Sequence, residues 1–187
     1  MELQIKNNKI FAHLKNKELV LTPEERVRQE YICRLVNHYG YDLAQMEQEL
    51  QVNNSHRGQG KARADIVVWK SASAKSNEDA AAIVVECKAE HITIREEDYF
   101  QGYNYAAWAG ADFFVTTNLK ETRVFKVNKG KLPKRLEEIV DIPRAEDLTN
   151  AKKLKELLGQ TKAFTRDEFS KLLCKCHNII RNNDKLS

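Results

Sequence analysis

Apolar positions along the chain change period several times, and each change marks a boundary. Residues 1–21 alternate weakly around Asn7-Asn8, as short strands joined by a turn would, and read as an edge or lid. At Thr22-Pro23-Glu24-Glu25 the helix-start signals converge: Thr as the cap, Pro at the first helical position, and Glu three residues after the cap, placed to close a capping box. Val27, Tyr31, Ile32, Leu35, Val36 and Tyr39 then recur at helical spacing until Gly40 supplies a stop. Leu50 and Val52 alternate briefly as a strand, residues 53–61 form a polar loop with two Gly, and residues 64–69 are β-rich. Residues 70–79 lack periodicity and predict an exposed hairpin connector. Residues 81–89 predict the next strand, whose apolar run Ala82-Ile83-Val84-Val85 points to burial on both faces at the centre of a sheet. Thr93-Ile94-Arg95-Glu96 reads as a second capping box, opening a helix that runs to about residue 109 and stops at Gly110. Residues 113–116 and 123–127 are two more strands. Helix, three strands, helix, two strands is the order of an α/β sandwich.

Beyond Pro143 the pattern changes again. Residues 148–158 read as a Lys-rich helix stopped by Gly159, and Thr165-Arg166-Asp167-Glu168 as a third capping box. The helix after it carries Phe169, Leu172, Leu173, Cys176 and Ile180 on one side. That stripe calls for cover, from the main body, from downstream chain, or from a second copy in a homodimer.

Composition narrows the class. With 187 residues, 42% apolar and 31% charged, the chain suits one domain plus an appendage and excludes disorder. The longest apolar run, residues 80–85, is far below the ~20 residues of a membrane span, and Lys6, Lys9, Lys15 and Lys17 precede no apolar segment. The expectation is a cytoplasmic protein without membrane contact, with Cys33, Cys87, Cys174 and Cys176 as reduced thiols. The net charge of +4 concentrates in residues 151–187, with nine Lys/Arg against four Asp/Glu, whereas residues 1–150 are almost balanced. Nucleic-acid contact by the main body must therefore be local. Two stretches qualify: Arg57, Lys61 and Arg63 beside the Gly-containing loop, and residues 126–135 with five basic and no acidic residues.

Candidate chemistry gathers at strand ends. Residues two apart on a strand share a face, so Glu86 and Lys88 project together while Cys87 turns away. If Asp65, at the start of the preceding strand, faces them, two carboxylates and an ammonium converge, a hard-cation site with a water-orienting group beside it. Gln101 and Tyr105, four apart on the following helix, share a face that can reach the same strand end. Cys174-x-Cys176-His177 does not predict zinc, because adjacent helical positions diverge and no second ligand pair is near. His13, His38, His56 and His91 form no spaced pair. Gly60-Lys61 and Gly130-Lys131 lack the other residues of a phosphate-binding loop, so no ATP site is expected in this chain.

As a set, Asp65, Glu86-x-Lys88 and Gln101-x-x-x-Tyr105 resemble the PD-(D/E)xK nuclease constellation with an added Gln-x-x-x-Tyr motif, as in the N-terminal domain of the restriction subunit of type I restriction-modification enzymes. The segments 23–29, 63–67 and Thr116-Thr117-Asn118 are similar to that family too. The resemblance implies a restriction-endonuclease-like α/β fold, a mixed β-sheet flanked by helices. Its parts would be N-terminal strands over 1–21, a nuclease core over 22–145 and a C-terminal helical segment over 146–187. It also implies a Mg²⁺-dependent endodeoxyribonuclease of bacterial defence, with Mn²⁺ as an alternative ion. Asp65 and Glu86 would hold the metal, Lys88 would orient or activate water, and Gln101 and Tyr105 would position DNA or brace the site. This nuclease class often adds a helical Glu: Glu24 and Glu25 lie on the apolar side of the first helix and Glu30 off it, and the choice among them stays open. Implied partners are double-stranded DNA and motor, specificity and methyltransferase domains or subunits. Residues 164–187 resemble the linker that leads, in fused polypeptides, to an adenine-specific DNA methyltransferase. The rival expectation is a catalytically inactive DNA-binding or interaction module in which Glu86 and Lys88 are simply an ion pair.

Overall fold

The structure, a computed structural model, describes residues 1–51, 63–129 and 135–161, with side chains as far as 156. Strands β1 (Ile5–Lys6), β2 (Lys9–Ala12) and β3 (Lys17–Val20) form a small antiparallel sheet of their own. Its turns place Asn7, Asn8 and Asn16 at positive φ, which Asn tolerates better than most residues. The sheet lies against helix α1 (Pro23–Asn37), burying Ile10 and Ala12 completely.

The cap of α1 is only half of what the sequence predicts. Thr22 Oγ1 accepts from the Glu25 N–H at 3.1 Å, but the Glu25 side chain does not return to the cap. Its carboxylate turns inward onto Arg28, Gln29 and Gln48. The far end of the helix matches the expected stop: Gly40 takes φ +74° and the Tyr41 N–H closes onto Leu35 O at 3.1 Å.

The main sheet has six strands in chain order: β4 (Met46–Gln51), β5 (Arg63–Val68), β6 (Ile83–Cys87), β7 (Phe113–Thr117), β8 (Thr122–Val127) and β9 (Leu136–Ile139). Only the β6–β7 pairing is parallel, so a crossover is required there, and helix α3 (Glu96–Trp108) makes it. Every residue of β6 is buried, as its apolar run predicts. The two faces of the sheet carry separate cores. Val27, Tyr31, Ile32 and Leu35 of α1 pack on Ile66, Ile83, Val85 and Phe113, while Tyr105 and Ala106 of α3 pack with Val67, Val84 and Phe114. The result is the mixed sheet flanked by helices that the sequence implies.

Several elements differ from the sequence expectation. Short helix α2 (Ala72–Ser76), capped by Ser71, occupies the 70–79 connector. Helix α3 begins after Arg95, whose N–H is taken by Asp98 Oδ2 at 2.8 Å; the acidic side chain at its third position outcompetes Thr93 as the start signal. Strand β9 escapes notice because Leu136-Glu137-Glu138-Ile139 has only two apolar residues at an edge. The helix expected over 148–158 is two, α4 (Ala145–Leu148) and α5 (Ala151–Thr161), and α5 continues through Gly159. The third capping box and its apolar stripe lie outside the described residues. So do Arg57, Lys61, residues 130–134, Cys174, Cys176 and His177.

α3 lies flush on the sheet at Gly102. A Cβ there would fall 1.8 Å from Cζ and 2.0 Å from Cε2 of Phe114, inside the ring's own volume. Gly102→Ala should therefore lift α3 from β7 and cost about 1–3 kcal/mol or more by overpacking. Urea unfolding would check this, and an unchanged midpoint would show that α3 can shift freely.

Candidate active site

The hairpin β5–β6 pairs Val68 with Ile83, Val67 with Val84 and Ile66 with Val85. One step further the same register sets Asp65 across from Glu86, on strands that part there. Asp65 fills the parting. Its Oδ2 accepts the Cys87 N–H at 2.8 Å, and its Oδ1 accepts from Arg28 Nη2 of α1 at 2.5 Å. Glu86 sits on the α3 side by alternation with Val84 and is 6% exposed. Burial, then the Asp65 charge, push its carboxyl well above the ordinary glutamate value. Next to it in the parallel register with β7 is Thr116, fully buried.

Three buried side-chain atoms among the described residues lack a hydrogen-bond partner: Glu86 Oε1, Thr116 Oγ1 and Arg28 Nε. Buried polar atoms are ordinarily paired, and an orphan costs about 1–3 kcal/mol. All three belong to residues that surround the Asp65–Glu86 corner.

Lys88 does reach the same face, but its ammonium pairs with Asp98 Oδ1 of α3 at 3.2 Å. Burial pulls its pKa down, and Asp98, with Glu86 and Asp65 behind it, more than compensates, so the net shift is upward and the side chain stays charged. Asp98 thus does two things, capping α3 with one oxygen and holding Lys88 with the other. Gln101 and Tyr105 bond each other, Gln101 Nε2 donating to the Tyr105 hydroxyl at 2.9 Å, which leaves that hydroxyl its own proton to donate. Gln101 is exposed and Tyr105 is buried; burial raises the phenol pKa, and Glu86 and Asp65 add to the rise despite the Gln101 bond. Cys87 faces the opposite core, where burial pushes its thiol up and keeps it neutral.

Sequence reasoning missed Arg28, Glu49, Asp98 and Thr116. Arg28 is 6% exposed, and besides Asp65 it contacts Glu25, Glu24 at 3.2 Å and Glu49 at 3.8 Å. Glu49 has φ +56° within β4 and also pairs with Lys15. The available signal was Glu25, Arg28, Gln29 and Ile32 at one helical face: polar residues on the core side of an amphipathic helix. Of the three glutamates considered for the site, Glu25 is the one buried within this network, Glu24 is exposed, and Glu30 contacts none of its members. Of the two basic stretches, the described residues are partly engaged, Lys129 with Asp112 at 2.9 Å and Arg135 over the Tyr103 ring.

A family model described as the type I restriction enzyme R protein N terminus matches residues 23–143. The chain belongs to that family. No curated protein matches it. Among solved structures, this R-protein N-terminal region is similar to a fragment of a putative HsdR subunit of a type I restriction enzyme from Vibrio vulnificus YJ016, with a TM-score of 0.50 and 19% identity. The match covers 74% of this chain and 26% of that one, and it supports the fold. No helix among the described residues of the R-protein N-terminal region is long and apolar enough to cross a membrane.

The raised Glu86 pKa sets a pH dependence. The folded state holds this proton above the ordinary value of 4.5, so stability is full while Glu86 is protonated in both states. It then falls as pH rises through 4.5 toward the folded value. Glu86→Gln should flatten that fall and raise the melting temperature at pH 8, by about 2–4 °C for each kcal/mol relieved in a chain this size. Melting curves between pH 5 and about pH 8, with divalent cations chelated, decide it; a variant no more stable than wild type at the upper end would exclude a strained Glu86.

Proposed function

We propose that residues 22–145 are the metal-dependent nuclease centre of a type I restriction enzyme R subunit, hydrolysing phosphodiester bonds in double-stranded DNA. The observation that carries this reading is the cluster of orphaned polar atoms around two adjacent carboxylates, in a chain whose family is that of R proteins. A structural ion pair between Glu86 and Lys88 would satisfy both groups. Here Lys88 goes to Asp98 and Glu86 Oε1 is left over.

The donor set suits a hard cation. Among the described residues no three His, Cys, Asp or Glu side chains stand close enough to form a cage. Mg²⁺ needs none, because it keeps most of its waters and takes one or two carboxylates. Asp65 and Glu86 would hold it, and Mn²⁺ would fit the same oxygens. Bound there, the ion would stabilise charge developing on the phosphate and acidify a water. Lys88, held protonated by Asp98, is unsuited to act as the base; it orients the attacking water and offsets phosphate charge. Tyr105, steadied by Gln101, donates its hydroxyl proton toward the substrate side. Arg26, His91 and Lys120 line a cleft at the start of α1 where a DNA backbone can rest. Translocation, base recognition and methylation belong to motor, specificity and methyltransferase parts elsewhere in the assembly. One observation favours the inactive-module reading: both oxygens of Asp65 already have protein partners.

Lys88→Ala separates the two readings. In the assembled R protein it should lower cleavage at least about 10²-fold, the smaller end of what losing one preorganised charge-stabilising donor costs. Mn²⁺ binding should persist and the melting temperature should stay within about 2 °C, since Asp98 keeps its helix-capping bond. Wild-type protein that binds no divalent cation, with a variant that loses stability alone, would favour the module.

A further inference from the structure

Arg28 is a buried cation on the very carboxylate proposed to hold a metal. Asp65 Oδ2 is committed to the Cys87 N–H, so Oδ1 is the oxygen a cation would take, and Arg28 Nη2 holds it at 2.5 Å. A guanidinium and a divalent ion sharing one oxygen would lie roughly 5 Å apart. At an effective dielectric near 20 their repulsion weakens binding by orders of magnitude unless one withdraws.

The surroundings supply the place to withdraw to. Glu24 Oε1 already accepts from the same Nη2 at 3.2 Å, and Glu25 Oε2 accepts from Nη1. Glu49 stands behind them, 3.8 Å from Nη1. The guanidinium is not seated to capacity on Asp65 either, because its Nε has no partner. Four carboxylates thus lie within 4 Å of one cation, and the three outside Asp65 are enough to retain it.

Building on the nuclease reading, we infer that Arg28 is a resident counter-ion that competes with the divalent cation for Asp65, and that cation binding drives it onto Glu24 and Glu25. Arg28 is therefore a positioning residue that sets the cation concentration at which the site loads. It keeps Asp65 tied to α1 until then, and its displaced position tightens α1 rather than the sheet.

The test uses the full chain, with Mn²⁺ in titration calorimetry and melting curves with and without the ion. Arg28→Gln should bind Mn²⁺ at least tenfold tighter than wild type, and Arg28→Lys, which keeps the charge, within about threefold of it. Without ion Arg28→Gln should melt below wild type, and saturating Mn²⁺ should raise its melting temperature by more than it raises that of wild type. Should Arg28→Gln fail to fold, wild type alone decides: the Arg28 Nε–H resonance should shift on Mg²⁺ addition and saturate with the calorimetric affinity. If wild type binds the ion while Arg28→Gln binds no tighter, or while that resonance stays fixed, the Arg28 inference is overturned and the nuclease reading survives. If neither wild type nor Arg28→Gln binds Mn²⁺, both fall.

Discussion

The carboxylate of Asp65 joins the two layers of the molecule at the point where the sheet opens. Strands β5 and β6 are paired up to Ile66 and Val85, and beyond that the Cys87 N–H finds its acceptor in a side chain instead of the opposing backbone. The other oxygen holds α1 through Arg28. One residue thus replaces a ladder bond, fixes where the strands diverge and anchors the helix that covers the opposite core. The direction in which Glu86 projects follows from that parting. If Asp65 were apolar, the Cys87 N–H would be left buried without an acceptor, a loss of about 1–3 kcal/mol, and Arg28 would keep only its glutamate partners on α1 and β4.

On the other face, α3 performs the complementary task. Its close approach at Gly102 brings the helix start over the strand end, so that Asp98 meets Lys88 and Tyr105 lies near Glu86. The three charged residues at this end of the β5–β6 hairpin consequently have different fates. Asp65 is fully satisfied, Lys88 is satisfied by a helix, and Glu86 is the one left with an unpaired oxygen. This asymmetry is what gives the corner its character, since the unsatisfied carboxylate oxygen among the three is that of Glu86.

Strand alternation made the shared face of Glu86 and Lys88 legible, and the apolar run before them made the buried central strand legible. The pairing of Asp65 with Glu86 depends on a hairpin register that a helix-containing connector hides. What could not be read was where long side chains go. Glu25 occupies a capping-box position and looks like a cap, yet an arginine and two glutamines in the core draw it inward. Lys88 has Glu86 two residues away in sequence, yet pairs with Asp98 ten residues on, because strand neighbours on one face stand ~7 Å apart while α3 descends directly onto the ammonium. Propensity and period describe the backbone well; charged side chains answer to the three-dimensional field.

That field explains why the corner tolerates its own strain. Glu24, Glu25, Glu49 and Asp65 crowd around Arg28, with Lys15 on Glu49, while Glu86 has no ion pair among the described residues because Lys88 is drawn off toward Asp98. A buried carboxyl oxygen without a partner is unfavourable by itself, and a sequence selected for stability alone would replace Glu86 with an apolar residue, as the rest of β6 already is. Local rules are broken at this one place in an otherwise consistent sheet, with orphaned atoms on three different elements, α1, β6 and β7. Inconsistency confined in this way is what a site completed by a partner from solution would show, and on the nuclease reading proposed above that partner would be a cation held by the unpaired Glu86 oxygen.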